Sequence, residues 1–291
     1  MKKVFQIFLL AMLVLTSCQQ GNTLTMIIDK EPYEEMLACA KENGIPIESF
    51  MEEYLPVSFY DLDWEPIIPK EIVVNKKRVI LTFNEHQPLS KLTISASWLT
   101  PIHIPESVTD LHLECESLKK IRIPESVTDL HLSCESLKKI RIPESVTDLY
   151  LSCESLKKVK IPESVTSLSL RCESLKKVKI PESVTGLSIV DCNSLRKIAI
   201  PNSITELGLG ADCYVHSCNS LKSIDIPNSV VKIGFHAFGY CHSLKSIRIP
   251  NSVTEIEAFA FIECESLTKI YVSSDYPGWR YFPENVEIIE Y

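Results

Sequence analysis

The dipeptide Ile-Pro returns at a fixed interval. Its proline stands at Pro105, Pro124, Pro143, Pro162 and Pro181, a strict spacing of 19 residues, and continues at Pro201, Pro227 and Pro250 with spacings of 20, 26 and 23. Cysteine keeps the same register, at Cys115, Cys134, Cys153, Cys172, Cys192, Cys218, Cys241 and Cys264. Self-similarity at such a period means one supersecondary unit that buries its apolar side only against a neighbouring copy. It also reinterprets the 11 cysteines of this chain. Eight are one repeat position rather than a disulfide code.

Within one unit, Leu118 to Ser136, two stretches alternate with period 2. Ile121 and Ile123 face one way and Lys120 and Arg122 the other; Leu130, Leu132 and Cys134 face one way and Asp129, His131 and Ser133 the other. This predicts two half-buried strands per coil. Proline, which has no ladder N–H, closes the first strand before a Glu-Ser corner, and a Cys-Glu-Ser corner closes the second. Leu130 and Ile121 are expected to be fully buried. Counting Leu-x-x-Ile/Val-x-Ile/Val units from Leu99 to Val272 gives nine. The expected fold is mainly β, a solenoid of about nine coils with parallel sheets. A divergent first coil begins near His86, with Ala96 in the cysteine slot. Pro283 to Ile289 reads as half a unit that finishes the stack, with Trp279, Tyr281 and Phe282 covering its last face.

The later coils insert an aromatic turn before the cysteine, as in Gly234-Phe235-His236-Ala237-Phe238 and Glu257-Ala258-Phe259-Ala260-Phe261. With Asn251-Ser252-Val253-Thr254-Glu255-Ile256 and Cys264-Glu265-Ser266-Leu267, this pattern closely resembles the BspA-like leucine-rich repeat of bacterial surface proteins. The resemblance covers residues 86–272. It implies a leucine-rich-repeat solenoid with short turns or helices in the longer C-terminal coils, and a role in adhesion or host-matrix binding. The 19-residue coils depart from it by lacking the Ala-Phe turn.

The N-terminus reads as an address. Lys2 and Lys3 precede an almost entirely apolar run from Val4 to Val14, about the length of a signal-peptide core and too short to span a bilayer comfortably. Leu15-Thr16-Ser17-Cys18 resembles the bacterial lipobox, whose cysteine receives diacylglycerol and becomes the mature N-terminus. Two or three acyl chains anchor stably, at about 0.8 kcal/mol per buried CH₂. The expected organisation is therefore a signal peptide over 1–17, a lipidated Cys18 with a polar tether over 18–22, and a cap over 23–85. The repeats follow over 86–272 and a C-terminal cap over 273–291. Residues 23–85 carry 13 acids and 6 bases. Helical spacing over Pro32–Asn43 and Pro46–Leu55, with a hairpin over Ile72–Phe83 bending at Asn75-Lys76-Lys77, predicts a small α/β cap.

Composition limits the chemistry. The net charge of −8 does not favour nucleic acid, and 8 glycines in 291 residues leave little room for phosphate-cradling loops. No Gly-x-Ser-x-Gly, Walker loop or His-Glu-x-x-His occurs. Asp61-Leu62-Asp63 reads as a solvated acidic loop. His112 and His131, one coil apart, should stack on the outer face, but two imidazoles are too few ligands for a closed zinc site. Asp212-Cys213-x-x-His216-x-Cys218 reads as an insertion in the 26-residue coil, with a Cys213–Cys218 disulfide left open. The other repeat cysteines read as free buried thiols. No enzyme activity, cofactor or metal is expected.

One surface feature is sharp. Lys120, Arg122, Lys139, Arg141, Lys158, Lys160, Lys177 and Lys179 recur coil by coil. With their neighbours they make 14 of the 30 basic residues within 79 positions. They are expected on one sheet face, with acids on its flanks. The stripe is either a solvated face neutralised by corner glutamates or a docking surface for an acidic protein or anionic glycan. The chain reads as a lipid-anchored recognition protein of a bacterial envelope, at the outer membrane or cell surface. The alternative is a periplasm-facing scaffold or glycan-binding accessory lipoprotein. The anchor is directly testable: Cys18→Ala should move the protein out of the membrane fraction, and a variant that still pellets and resists a salt wash would refute lipidation.

Overall fold

The structure is a computed structural model. It describes residues 90–96, 104–208, 213–273, 282, 283 and 285–291, and the backbone of Cys18–Gln20, Thr23–Ile28, Glu71–Asn75 and Arg78–Thr82. The helices expected over 32–43 and 46–55, the Asp61/Asp63 loop, Trp279 and Tyr281 lie outside the described residues. Two compact units divide the chain, Met1–Ser136 and Leu137–Tyr291. Both are mainly β, built around parallel ladders of repeated coils, and no helix occurs among the described residues.

In the first unit, Lys91–Ala96, Asp110–Cys115 and Asp129–Ser133 form a parallel ladder. Its register is one repeat: Leu92 faces Leu111, Leu111 faces Leu130, and Ala96 faces Cys115. The divergent first coil thus lies where the offset of 19 predicts it. Thr23–Ile28 adds a further parallel strand beside Lys91–Ala96, and Cys18–Gln20 turns back antiparallel on it. Glu71–Asn75 and Arg78–Thr82 form the expected hairpin.

In the second unit, Asp148–Ser152, Ser167–Arg171, Gly186–Val190 and Tyr214–His216 continue the same motif, with Leu168 between Leu149 and Leu187. Strand alternation turns Leu149, Leu151, Leu168 and Leu170 inward at 0–2% exposure. Each such burial stabilises by about 1.5–3 kcal/mol.

The corners repeat as faithfully as the strands. The valine N–H of each Pro-x-Ser-Val turn donates to the proline carbonyl, as Val165 does to Pro162 at 3.2 Å. The serine hydroxyl donates to the previous coil's valine carbonyl, Ser164 to Val146 and Ser183 to Val165, both at 2.7 Å. The next residue's N–H donates to the previous threonine carbonyl, Thr166 to Thr147 and Thr185 to Thr166 at 2.8 Å. Backbone groups at a turn would be orphaned without such partners.

One expectation needs correction. In the 19-residue coils the Lys-Lys-Ile-Arg-Ile stretch is extended but is not a ladder strand; one isolated bridge joins Lys158 to Lys177. Accordingly Ile121, Ile140, Val159 and Val178 are half-buried, not fully buried. Alternation reports an extended backbone with one face covered. It does not report whether adjacent backbones come within the spacing of about 4.8 Å that ladder bonds require.

From residue 197 the two sides exchange roles. Lys197–Ala199 pairs with Ser223–Asp225, and Ser246–Arg248 with Lys269–Val272, burying Ile198, Ile224, Ile247 and Ile270. The opposite strands shrink to Glu206–Leu207, Lys232–Ile233 and Glu255–Ile256. The inserted residues form turns, not helices. From Asp191 onward the residue before each repeat cysteine has positive φ: Asp191 (51°), Ser217 (54°), Tyr240 (58°) and Glu263 (56°). Phe238 and Phe261 fill the turns, stacked at 5.7 Å. Glu287–Glu290 closes the second unit by pairing with Lys269–Val272, and Phe282 lies 6.4 Å from Phe261.

Leu168 is 1% exposed. Leu168→Ala should lower stability by about 2–5 kcal/mol, whereas exposed Lys139→Ala should change it by under about 0.5 kcal/mol. Urea midpoints measure both; equal midpoints would refute the register.

Candidate functional site

The basic stripe separates into columns of different character. In the first unit Arg122 pairs with Glu106 at 2.9 Å. In the second, Lys160 pairs with Glu144 at 3.0 Å and Lys179 with Glu163 at 3.4 Å. Each acid is the corner glutamate after the preceding coil's proline, so this column is neutralised diagonally between coils. The other column, Lys120 in the first unit and Lys139, Lys158 and Lys177 in the second, is exposed and makes no ion pair among the described residues. Because these side chains do not stand on a laddered strand, the stripe lies on an extended edge rather than on the sheet face the sequence suggested.

Where the laddered form begins, a shallow cleft of about 640 Å³ opens in the second unit. Lys176, Lys177, Arg196 and Lys197 line it beside Val178 and Ala199. Lys197 is held by Asp225 at 2.7 Å. The cleft combines cations with a short apolar floor, an arrangement that attracts an anionic chain more than a neutral one.

The cysteine column is interior, and all nine described cysteines are free and buried, Cys213 and Cys218 included. The disulfide left open by the sequence therefore does not form. Thiols point at the preceding coil: Cys172 donates to the Leu151 carbonyl at 3.6 Å, Cys241 to Val215 at 3.6 Å and Cys264 to Phe238 at 3.1 Å. Burial, with a neighbouring thiol, pushes Cys134 and Cys241 up to about 12. Burial pushes Cys264 up to about 11. Cys172 and Cys218 are raised by the hydrogen bonds their thiols make to Cys153 and Cys192, and then by burial. A thiol held neutral is a poor nucleophile and metal ligand.

His112 and His131 stack as expected, with ring centroids 3.8 Å apart and 12° between planes. Glu114, two residues along the strand from His112, approaches its Nε2 to 3.2 Å. Glu114 stands outside the sequence expectation of two imidazoles, although its i, i+2 spacing from His112 on a strand places both on one face. Burial and the neighbouring His112 hold His131 below the usual histidine value, against the opposing pull of Glu114. In the second unit His216 is lowered in the same way, by burial and His236.

A sequence profile of the BspA type leucine-rich repeat region matches residues 82–189, 109–214 and 209–278, in 6 copies. A search of curated proteins finds no match. Among solved structures, a leucine-rich repeat protein from Bacteroides ovatus is 22% identical, with 73% of this chain and 71% of that one covered and a TM-score of 0.47. A leucine-rich cell surface protein from Faecalibacterium prausnitzii is 22% identical, covering 79% and 96% with a TM-score of 0.28. The pneumococcal vaccine antigen PcpA is 16% identical, covering 77% and 93% with a TM-score of 0.27.

The thiol column sets a pH dependence. Cys134 and Cys241 rise from 9.0 to about 12 on folding. The folded state therefore holds protons that the unfolded state releases, and stability falls as pH rises through that window. Urea midpoints should drop as pH rises from about 9 toward 12. A midpoint that climbs over that range would contradict a buried thiol column.

Proposed function

Because the chain belongs to the BspA-type leucine-rich repeat family, we propose that it is a lipid-anchored recognition protein of a bacterial cell envelope whose repeats bind an acidic protein or anionic glycan. The observation that carries the binding reading is the column of unpaired lysines. Diagonal glutamates neutralise Arg122, Lys160 and Lys179. Lys139, Lys158 and Lys177 of the second unit stay exposed beside them, and the cleft at Lys176, Lys177 and Arg196 continues the same edge.

Like charges repeated along an edge repel, and the interior of the coil has no use for them. A partner of opposite sign relieves that repulsion at several coils at once, so affinity accumulates per coil and decays with salt over a Debye length of about 8–10 Å. Cys18 in its lipobox-like setting supplies the anchor in this reading. The reading assigns the protein no catalytic role. The thiols of the described cysteines are buried and protonated, and the basic columns follow the repeat rather than converging on a reacting atom.

Replacing Lys139, Lys158 and Lys177 together by Glu should abolish retention on immobilised heparin at low salt, with the circular dichroism spectrum unchanged. Wild type should elute as salt rises. Equal retention of the two proteins, or none for either, would show that the lysine column is a solvated edge.

A further inference from the structure

We propose that His112, Glu114 and His131 form a surface site for a divalent transition-metal ion of the Zn²⁺ class. Their donor atoms all lie within 4.8 Å of one another. A tetrahedral zinc with bonds of about 2.0–2.1 Å holds its ligand atoms roughly 3.3 Å apart, so the three donors need to close by at most about 1.5 Å. Two imidazoles and one carboxylate on one face are a donor set that binds zinc and leaves a position open to water or to a partner's side chain.

The parallel register supplies the geometry. His112 and His131 are direct ladder partners, so the strand spacing sets their separation. Glu114 projects from the same face as His112. Its ladder partner on one side is Ser133, and the partner of His112 on its other side is Thr93, both with small side chains. The other carboxylate on this strand face, Asp110, is engaged by Lys91 at 2.6 Å, which leaves Glu114 as the acid at the imidazoles.

The repeat itself supplies the comparison. Otherwise near-identical coils carry Tyr150, Ser169 and Ser188 in the histidine column, and Ser133, Ser152 and Arg171 in the glutamate column. The stack has no packing need for histidine or glutamate at these positions, since serine serves elsewhere. The glutamate replaces that serine beside the two adjacent imidazoles. The site does not depend on the lysine column and stands or falls separately from it.

The test is zinc titration of the untagged, reduced full-length chain, read by competition with a chromophoric chelator, with His112→Ser, Glu114→Ser, His131→Ser and the triple variant. Serine occupies both columns in sister coils, so the fold should tolerate each change, and circular dichroism checks it. Changes in outer-shell partners already cost about 10–100-fold in metal affinity. Wild type should therefore bind one equivalent, each single variant should bind at least about tenfold more weakly, and the triple variant should lose the site. Cobalt substitution should give a spectrum without a thiolate charge-transfer band. Wild type that binds no zinc, a triple variant that binds as wild type does, or a thiolate band in the cobalt spectrum would overturn the assignment.

Discussion

In-register stacking is the constraint on which the rest of this structure depends. A coil of 19 residues encloses no core of its own, so its leucines are buried only by the same leucines one repeat away. Leu149, Leu168 and Leu187 meet as ladder neighbours and are almost completely excluded from solvent. Register cannot slip by one residue, because a slip would turn every buried leucine outward. What holds inside then holds outside. Every residue type repeated in the sequence meets its own kind across the ladder or edge, whether that is favourable or not.

The corners make that stacking affordable for the backbone. Proline removes a donor where the chain leaves the strand. The serine two residues later hands its hydroxyl to a carbonyl of the previous coil, as Ser126 does to Val108 and Ser229 to Ile204, both at 2.7 Å. The cysteine at the opposite corner does the same more weakly from the interior. Its thiol is small enough for a tight turn and apolar enough for the core. Where a coil is longer, the inserted residues form turns, and the residue before the cysteine is left-handed. Gly208, with φ of 137°, then lies so close to Gly234 that an added Cβ would fall 2.8 Å from its Cα.

The consequences outside are electrostatic. Lysine columns stacked coil on coil are only half neutralised, because a corner glutamate reaches diagonally to one cation per coil and leaves its neighbour bare. Such exposed pairs are worth about 0–1 kcal/mol each and do not explain why the charges are there. The histidine pair of the first unit follows the same rule with a different result. Two imidazoles forced together by the register, with a carboxylate on the same face, are a ready donor set for a metal ion.

Much of this was legible from the sequence alone. The period, the identity of the buried leucines, the place of Ala96 opposite Cys115, the hairpin over 71–82 and the stacking of His112 on His131 all follow from local alternation and a constant offset. Those are properties of one coil copied. Three matters were decided only in three dimensions. The Lys-Lys-Ile-Arg-Ile stretch alternates like a strand yet carries no ladder in the 19-residue coils, because pairing depends on the distance between coils, which no single coil encodes. The split of the basic stripe into paired and bare columns depends on how far Glu106, Glu144 and Glu163 reach across to the next coil. And Glu114 joins the two histidines because strand alternation and parallel register act together: the first puts it on the face of His112, the second brings His131 beside them.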